Sequence, residues 1–381
     1  MRNINRKALA SMGLGLALLA SACGRGADAR SEIGSRSPVT VDAPVSSPVT
    51  VESPVISSAP SSVSTTTADT SESAEPAPMY ISTMVHMEGN WRDDELPALF
   101  MAHVEQIRLA MDIFDGYDAK LTVESEIPFS TAQLESGINV MQELLDDGHG
   151  VGTHCDVGFR EDLMPVEDFA ALLVERKSLM DELVGAENNR GCSGAGGAND
   201  WALAMDLAGF DYVDGLVGMH YLSMPEAERP AGWTDTYIRD TAFHDQAPVD
   251  LSQSIHPFEV ADATDFVPDE NGVIVVSAGS LGRLDTFAEA ISGDDCVRSE
   301  SCPLTVEDVD LEIEAIEEAI ALHDPALVGK VDIYLPASIF TEANREVLEY
   351  FLARVDELVQ QGLLQWATQG EVYDAYLAWN S

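Results

Sequence analysis

The chain has 381 residues and a formal net charge of −46, with 66 acidic against 20 basic side chains. Residues 1–78 are nearly balanced, so the excess falls on residues 79–381. A field of that sign argues against nucleic acid or anionic lipid headgroups as partners; it suits a salty medium that screens self-repulsion, and no D-x-[DN]-x-[DN]-G loop marks a calcium site.

The first residues carry Arg2, Arg6 and Lys7, no acid, and then an apolar run, Ala8–Ala20. That run is shorter than the roughly 20 residues needed to span a bilayer. Positive start, short apolar core and small residues before a cut site are the layout of a secretory signal peptide. Ala20-Ser21-Ala22-Cys23 resembles the lipobox of bacterial lipoproteins. The resemblance implies cleavage before Cys23, lipidation of Cys23, and a membrane-anchored protein of the cell envelope, periplasmic or on the cell surface. An ordinary signal peptide with a chance cysteine is the alternative. Residues 1–23 are therefore the expected signal segment. Residues 24–78 are rich in Ser, Pro and Thr, lack aromatic residues, and repeat Ser37–Val45 as Ser47–Val55. Recurrent Pro argues against strand pairing and predicts a disordered, semi-rigid linker.

Residues 79–381 then alternate strand and helix patterns. Tyr80–Glu88 reads as a buried strand. Leu99–Phe114 has apolar residues at helical spacing, among them Phe100, Val104, Ile107 and Met111. Lys120–Glu124 is a second strand, and Leu134–Leu145 a helix with Ile138, Val140, Met141 and Leu144 on one face. Gly148–Asp156 is a turn entering a third strand. Val166–Leu183 is helical, and Gly191–Gly194 ends the next strand. Asn199-Asp200 can cap a helix over Trp201–Ala208, and Phe210–Val213 follows as a strand. Residues 218–270 read as irregular, Val273–Ser277 as a buried strand. Two long helices, Val306–Leu322 and Glu342–Gln360, bracket a strand at Val331–Leu335, and Leu363–Ala367 is the last strand. Such alternation indicates a parallel sheet; seven or eight units in about 300 residues indicate a closed α/β barrel, with its chemistry at the C-terminal strand ends.

Two strand ends concentrate ligand-type side chains: His86-Met87-Glu88 and His154-Cys155-Asp156. Residues i and i+2 of a strand share a face, so each His shares a face with its carboxylate. His86, Glu88, His154 and Asp156 would converge in the barrel mouth as ligands for a divalent metal of the zinc type; a salt-linked cluster without metal is the alternative. Of the five cysteines, Cys296 and Cys302 flank a short polar loop and are expected to form a disulfide. Cys155 and Cys192 are either a second disulfide or two buried thiols.

The order of segments resembles the polysaccharide deacetylase (NodB-homology) family. Asp147-Gly-His-Gly-Val-Gly-Thr-His154 is similar to that family's second motif, a turn leading to a metal-binding His. Arg190-Gly-Cys-Ser-Gly194, a helix, and Ala208-Gly-Phe-Asp-Tyr-Val213 resemble its third motif and the strand behind it. Val359–Tyr373 resembles its last strand and closing helix. The resemblance implies a distorted (β/α)7 barrel and metal-dependent hydrolysis of N- or O-acetyl groups on a glycan. It departs at three places: Met87 stands where the family has its base, Gly158 where it has a second metal His, and Leu335-Pro336 where a late strand ends in a catalytic His. His86, Asp93 and His256 are the candidate replacements for the acid–base groups. Arg190 and Trp91 are candidate substrate contacts, with Trp233, Tyr221 and Tyr237 as a further stacking platform. Two other functions stay open: a non-catalytic glycan-binding lipoprotein on the same barrel, and a glycoside hydrolase, which needs two carboxylates flanking its bond.

Overall fold

The computed structural model describes residues 75–158, 162–244, 251–265, 268–286 and 304–381. Cys23, nearly all of the linker, and Cys296 and Cys302 lie outside the described residues. A single sheet contains β1 (Met79–Met87), β2 (Thr122–Ser125), β3 (Gly150–Val157), β4 (Gly191–Ala195), β5 (Tyr212–Val213), β6 (Phe258–Val260), β7 (Ile274–Val276), β8 (Ser280–Arg283), β9 (Gly329–Tyr334) and β10 (Gln365–Trp366). Their order is β6-β7-β5-β4-β3-β2-β1-β9-β8, with β10 pairing β1 separately. Every pairing is parallel except β6 against β7.

The sheet is strongly curled, and one bent segment brings its two sides together. β7 pairs with β5 through Tyr212↔Val275, whereas β8, three residues further along the chain, pairs with β9 through Ser280↔Asp332. Ser277 N–H donates to Val213 O on one side, and Asp332 N–H donates to Gly279 O on the other. Residues 274–283 thus act as one kinked strand between β5 and β9. The kink falls at Gly279, with φ +80°, where a Cβ would lie 2.4 Å from Lys330 O; only glycine fits that conformation and that approach. This is the distorted α/β barrel expected from the sequence.

Helices cover the outer face. In β1, Ile81, Val85 and Met87 are fully buried in a core shared with Val104, Ile107 and Phe114 of the helix Pro97–Asp115. A second core lies under β3, β4 and the helices Val166–Val184 and Trp201–Ala208, and includes Trp201, Phe169 and the Cys155–Cys192 disulfide. That disulfide settles the alternative of free thiols. Asp200 caps its helix by accepting from Leu203 N–H at 3.2 Å. The helix read over Leu134–Leu145 is instead two, Ile127–Ser136 and Val140–Asp146. Gly137 turns left-handed at φ +73° and ends the first; Asn139 caps the second by accepting from Gln142 N–H at 2.9 Å. Apolar periodicity runs through both and hides this break. Among the described residues, no helix is long and apolar enough to cross a membrane.

Candidate metal centre

Strand alternation sorts the side chains of β1 cleanly. Ile81, Val85 and Met87 go to the helical core, so Ser82, His86 and then Glu88 face the barrel interior and its mouth. Register sets Glu124 of β2 beside His86, and Ser193 of β4 beside His154 of β3. Lower in the barrel, Asp214, Asp332 and Lys330 are also fully or almost fully buried.

The structure brings His86, Glu88 and His154 together, with one ligand-type atom from each within 4.8 Å of the others. The two imidazoles stack at 4.0 Å between centroids and 15° between planes. His154 Nε2 lies 3.5 Å from Glu88 Oε2, and its Nδ1 is 2.9 Å from Ser193 Oγ. His86 Nε2 lies 3.1 Å from Glu124 Oε2 yet makes no hydrogen bond. Tyr334, from the end of β9, tilts against His86 at 4.9 Å and hydrogen-bonds Glu88.

Electrostatics give the three groups different states. Burial, then the neighbouring His154, holds His86 down to about 3, so it is neutral. Burial also opposes charge on His154, but the hydrogen bond and charge of Glu88, then Asp156 and Glu124, outweigh it and raise its pKa to about 9. Burial works against ionised Glu88 too, and His154, His86 and His244 overcome it, leaving Glu88 at about 2. The cluster therefore holds one neutral imidazole, one carboxylate, and a second imidazole whose proton sits where a cation would compete for it. Two imidazoles and a carboxylate, with a buried ring nitrogen on His86 that makes no hydrogen bond, fit a divalent metal of the zinc type. Behind them, burial drives the Asp214 and Glu124 carboxyls up, and the two share a hydrogen bond.

The other residues singled out in the sequence fall elsewhere. Asp156 follows a register shift between His154 and Val157, adopts φ +40° and is exposed. The bulge turns it out of the three-residue cluster, although its charge still acts on both imidazoles. Asp93 is buried with its carboxylate 2.6 Å from His103 Nδ1, and Trp91 tilts against that ring at 4.4 Å. Both belong to the loop after β1, but Asp93 is engaged with the helix Pro97–Asp115.

His256 and Arg190 sit at the opposite end of the barrel. His256 Nδ1 is 3.0 Å from Val328 O, and its Nε2 accepts from Asp324 N–H at 3.2 Å. Both ring nitrogens are used, at the start of β9, roughly 20 Å from that strand's mouth end at about 3.3 Å per residue. Arg190 precedes β4, donates to Asp211 at 2.6 Å and Asp374 at 2.9 Å, and stacks on Tyr373 at 4.7 Å. It is a structural clamp between the β4 entrance and the last helix.

The departures from the deacetylase motifs also have physical reasons. Met87 is fully buried and faces the helices. Gly158 has φ +105°, and a Cβ there would lie 1.9 Å from Gly196 O, so no histidine fits. Reading from sequence missed Glu124, Glu126, Asp214 and Tyr334. The signal for the first two was present: Glu124-Ser-Glu126 repeats the i, i+2 pattern of the two strand ends already noted.

No family model and no curated protein sequence matches this chain. Solved structures do match. A Mycobacterium smegmatis protein described as a polysaccharide deacetylase is similar over 81% of this chain and 93% of its own, with TM-score 0.51 and 13% identity. Puue allantoinase is similar over 79% of this chain and 91% of its own, with TM-score 0.50 and 12% identity. The fold is the deacetylase-type distorted barrel. At these identities the likeness establishes the fold alone.

Proposed function

We propose that this protein is a metal-dependent hydrolase that removes N- or O-acetyl groups from a glycan, held at the cell envelope by a lipid on Cys23. The convergence of His86, Glu88 and His154 at the barrel mouth carries this reading. These three residues would hold the metal, zinc by the chemistry of its donors. Asp156 stands close enough to influence both imidazoles electrostatically. A bound divalent ion there lowers the pKa of a water and polarises an acyl oxygen. Ser193 orients His154, and Tyr334 orients Glu88, as partners of metal ligands do. Trp233 with Tyr221 and Tyr237, in ring contact at 5.5 and 5.9 Å, offers a surface for sugar stacking, and Trp91 a second. The Cys155–Cys192 disulfide suits an oxidising, extracytoplasmic compartment.

One observation favours a second reading, glycan binding without turnover: the position of the family's base is filled by Met87, which is locked in the core. The two separate in one experiment. Zinc-loaded full-length protein is incubated with a panel of N- and O-acetylated oligosaccharides, with acetate release and binding measured together. Hydrolysis predicts acetate release that disappears in His154→Ala. Saturable binding without acetate supports the second reading and rejects the first.

A further inference from the structure

With His86 in the metal-type cluster, Met87 turned into the core, Asp93 taken up by His103, and His256 at the far end of β9, the reaction needs a proton acceptor from another element. β2 supplies one. Glu124 faces the interior beside His86, and the chain stays extended through Glu126, at φ −97° and ψ 175°. Glu126 therefore shares the face of Glu124, one level nearer the mouth. Its N–H donates to Met87 O at 3.1 Å, which sets it level with the end of β1. Its carboxylate lies directly over the residue after Glu88: a Cβ on Gly89 would sit 1.6 Å from Glu126 Oε2. Arg176 Nε approaches Oε1 at 3.6 Å, and the Glu126 side chain keeps 9% of its exposure. One oxygen thus faces a cation, while the other sits at the strand ends that carry the metal-type ligands.

We infer that Glu126 is the general base of this site, a role moved from the end of β1 to the end of β2; the inference rests on the hydrolase reading above. Glu126 takes a proton from the attacking water, whose O–H bond breaks as its oxygen bonds to the acyl carbon. The bond from that carbon to the sugar nitrogen or oxygen then breaks, with its electron pair going to the leaving atom. That atom receives the proton held by Glu126. Acetic acid, which ionises to acetate in solution, and a free amine or hydroxyl result, with no change of oxidation state.

The test compares wild type, Glu126→Gln and Glu126→Ala as full-length zinc-loaded proteins. Acetate release, zinc affinity by calorimetry and thermal unfolding are measured for each. A positioned base contributes on the order of 10²–10⁴ in rate. Glu126→Gln is expected to lose at least about 100-fold in kcat, with KM and zinc affinity within about threefold of wild type. Formate added to Glu126→Ala is expected to restore part of the rate. If wild type turns over and Glu126→Gln keeps more than one-tenth of its kcat, the assignment of Glu126 fails and the hydrolase reading stands. If Glu126→Gln loses zinc together with activity, its role is metal support and the assignment also fails. Wild type that binds zinc without releasing acetate overturns both.

Discussion

His256 and Arg190 at one end of this barrel, and His86 at the other, stand in different conditions. At the entrance end, His256 has both ring nitrogens bonded to backbone, and Arg190 is held by two carboxylates and an aromatic ring. At the mouth, His86 keeps a buried ring nitrogen without a hydrogen bond, 3.1 Å from the Glu124 carboxyl. Two imidazoles there lie in face-to-face contact. A fold optimised for stability alone satisfies its buried polar groups. A group left wanting a partner at the C-terminal strand ends makes them the candidate place for a ligand.

Substitutions should divide along that line. At the mouth, His154→Ala should abolish divalent metal binding and turnover while the protein stays folded, as calorimetry and circular dichroism would show. Activity persisting in His154→Ala would erase the distinction between the ends.

Behind the mouth, the disulfide joins cysteines 37 residues apart on β3 and β4. Replacing both Cys155 and Cys192 with Ala should cost about 4 kcal/mol in chemical denaturation, by loop-closure entropy. Because His154 and Ser193 pair across the same two strands, metal affinity should fall as well.

Glu312, on the helix Val306–Leu322, offers a buried carboxyl with no part in the proposed chemistry. Burial, then the charge of Asp332, pushes it from 4.5 up to about 8, and both of its oxygens lack partners. A folded-state pKa above the unfolded value means the native state holds the proton more tightly. Its contribution to stability is therefore full below about 4.5 and is lost as pH rises towards about 8. Glu312→Gln should remove that slope, matching wild type near pH 4 and exceeding it by about 4 kcal/mol at pH 8 in urea unfolding. Equal pH profiles would contradict a neutral native Glu312.

At the entrance end the expected effect is smallest. Arg190→Ala should lower stability by about 1 kcal/mol and leave metal affinity and kcat within about twofold. A larger loss of turnover would return Arg190 to the substrate site.

Much of this was legible in the sequence, for a local reason. Strong periodicity in Val306–Leu322 fixed that helix at both ends, and i, i+2 spacing put His86 with Glu88 on one face. What escaped depends on non-local geometry. The split at Gly137 depends on one left-handed residue inside a continuous apolar pattern. The bulge that turns Asp156 away depends on how β3 meets β4. Glu124, Asp214 and Asp332 come from three distant segments and meet only because the kinked strand at Gly279 draws β5 and β9 together. His256 looked available because its partners, Val328 and Asp324, lie about 70 residues away.

The metal content of the purified full-length protein tests the central claim most directly. Dialysis against trace zinc, followed by elemental analysis, should give about one divalent ion per chain for wild type and none for His154→Ala. Metal-free wild type that is fully stable and gains nothing from added zinc would contradict a metal centre at His86, Glu88 and His154.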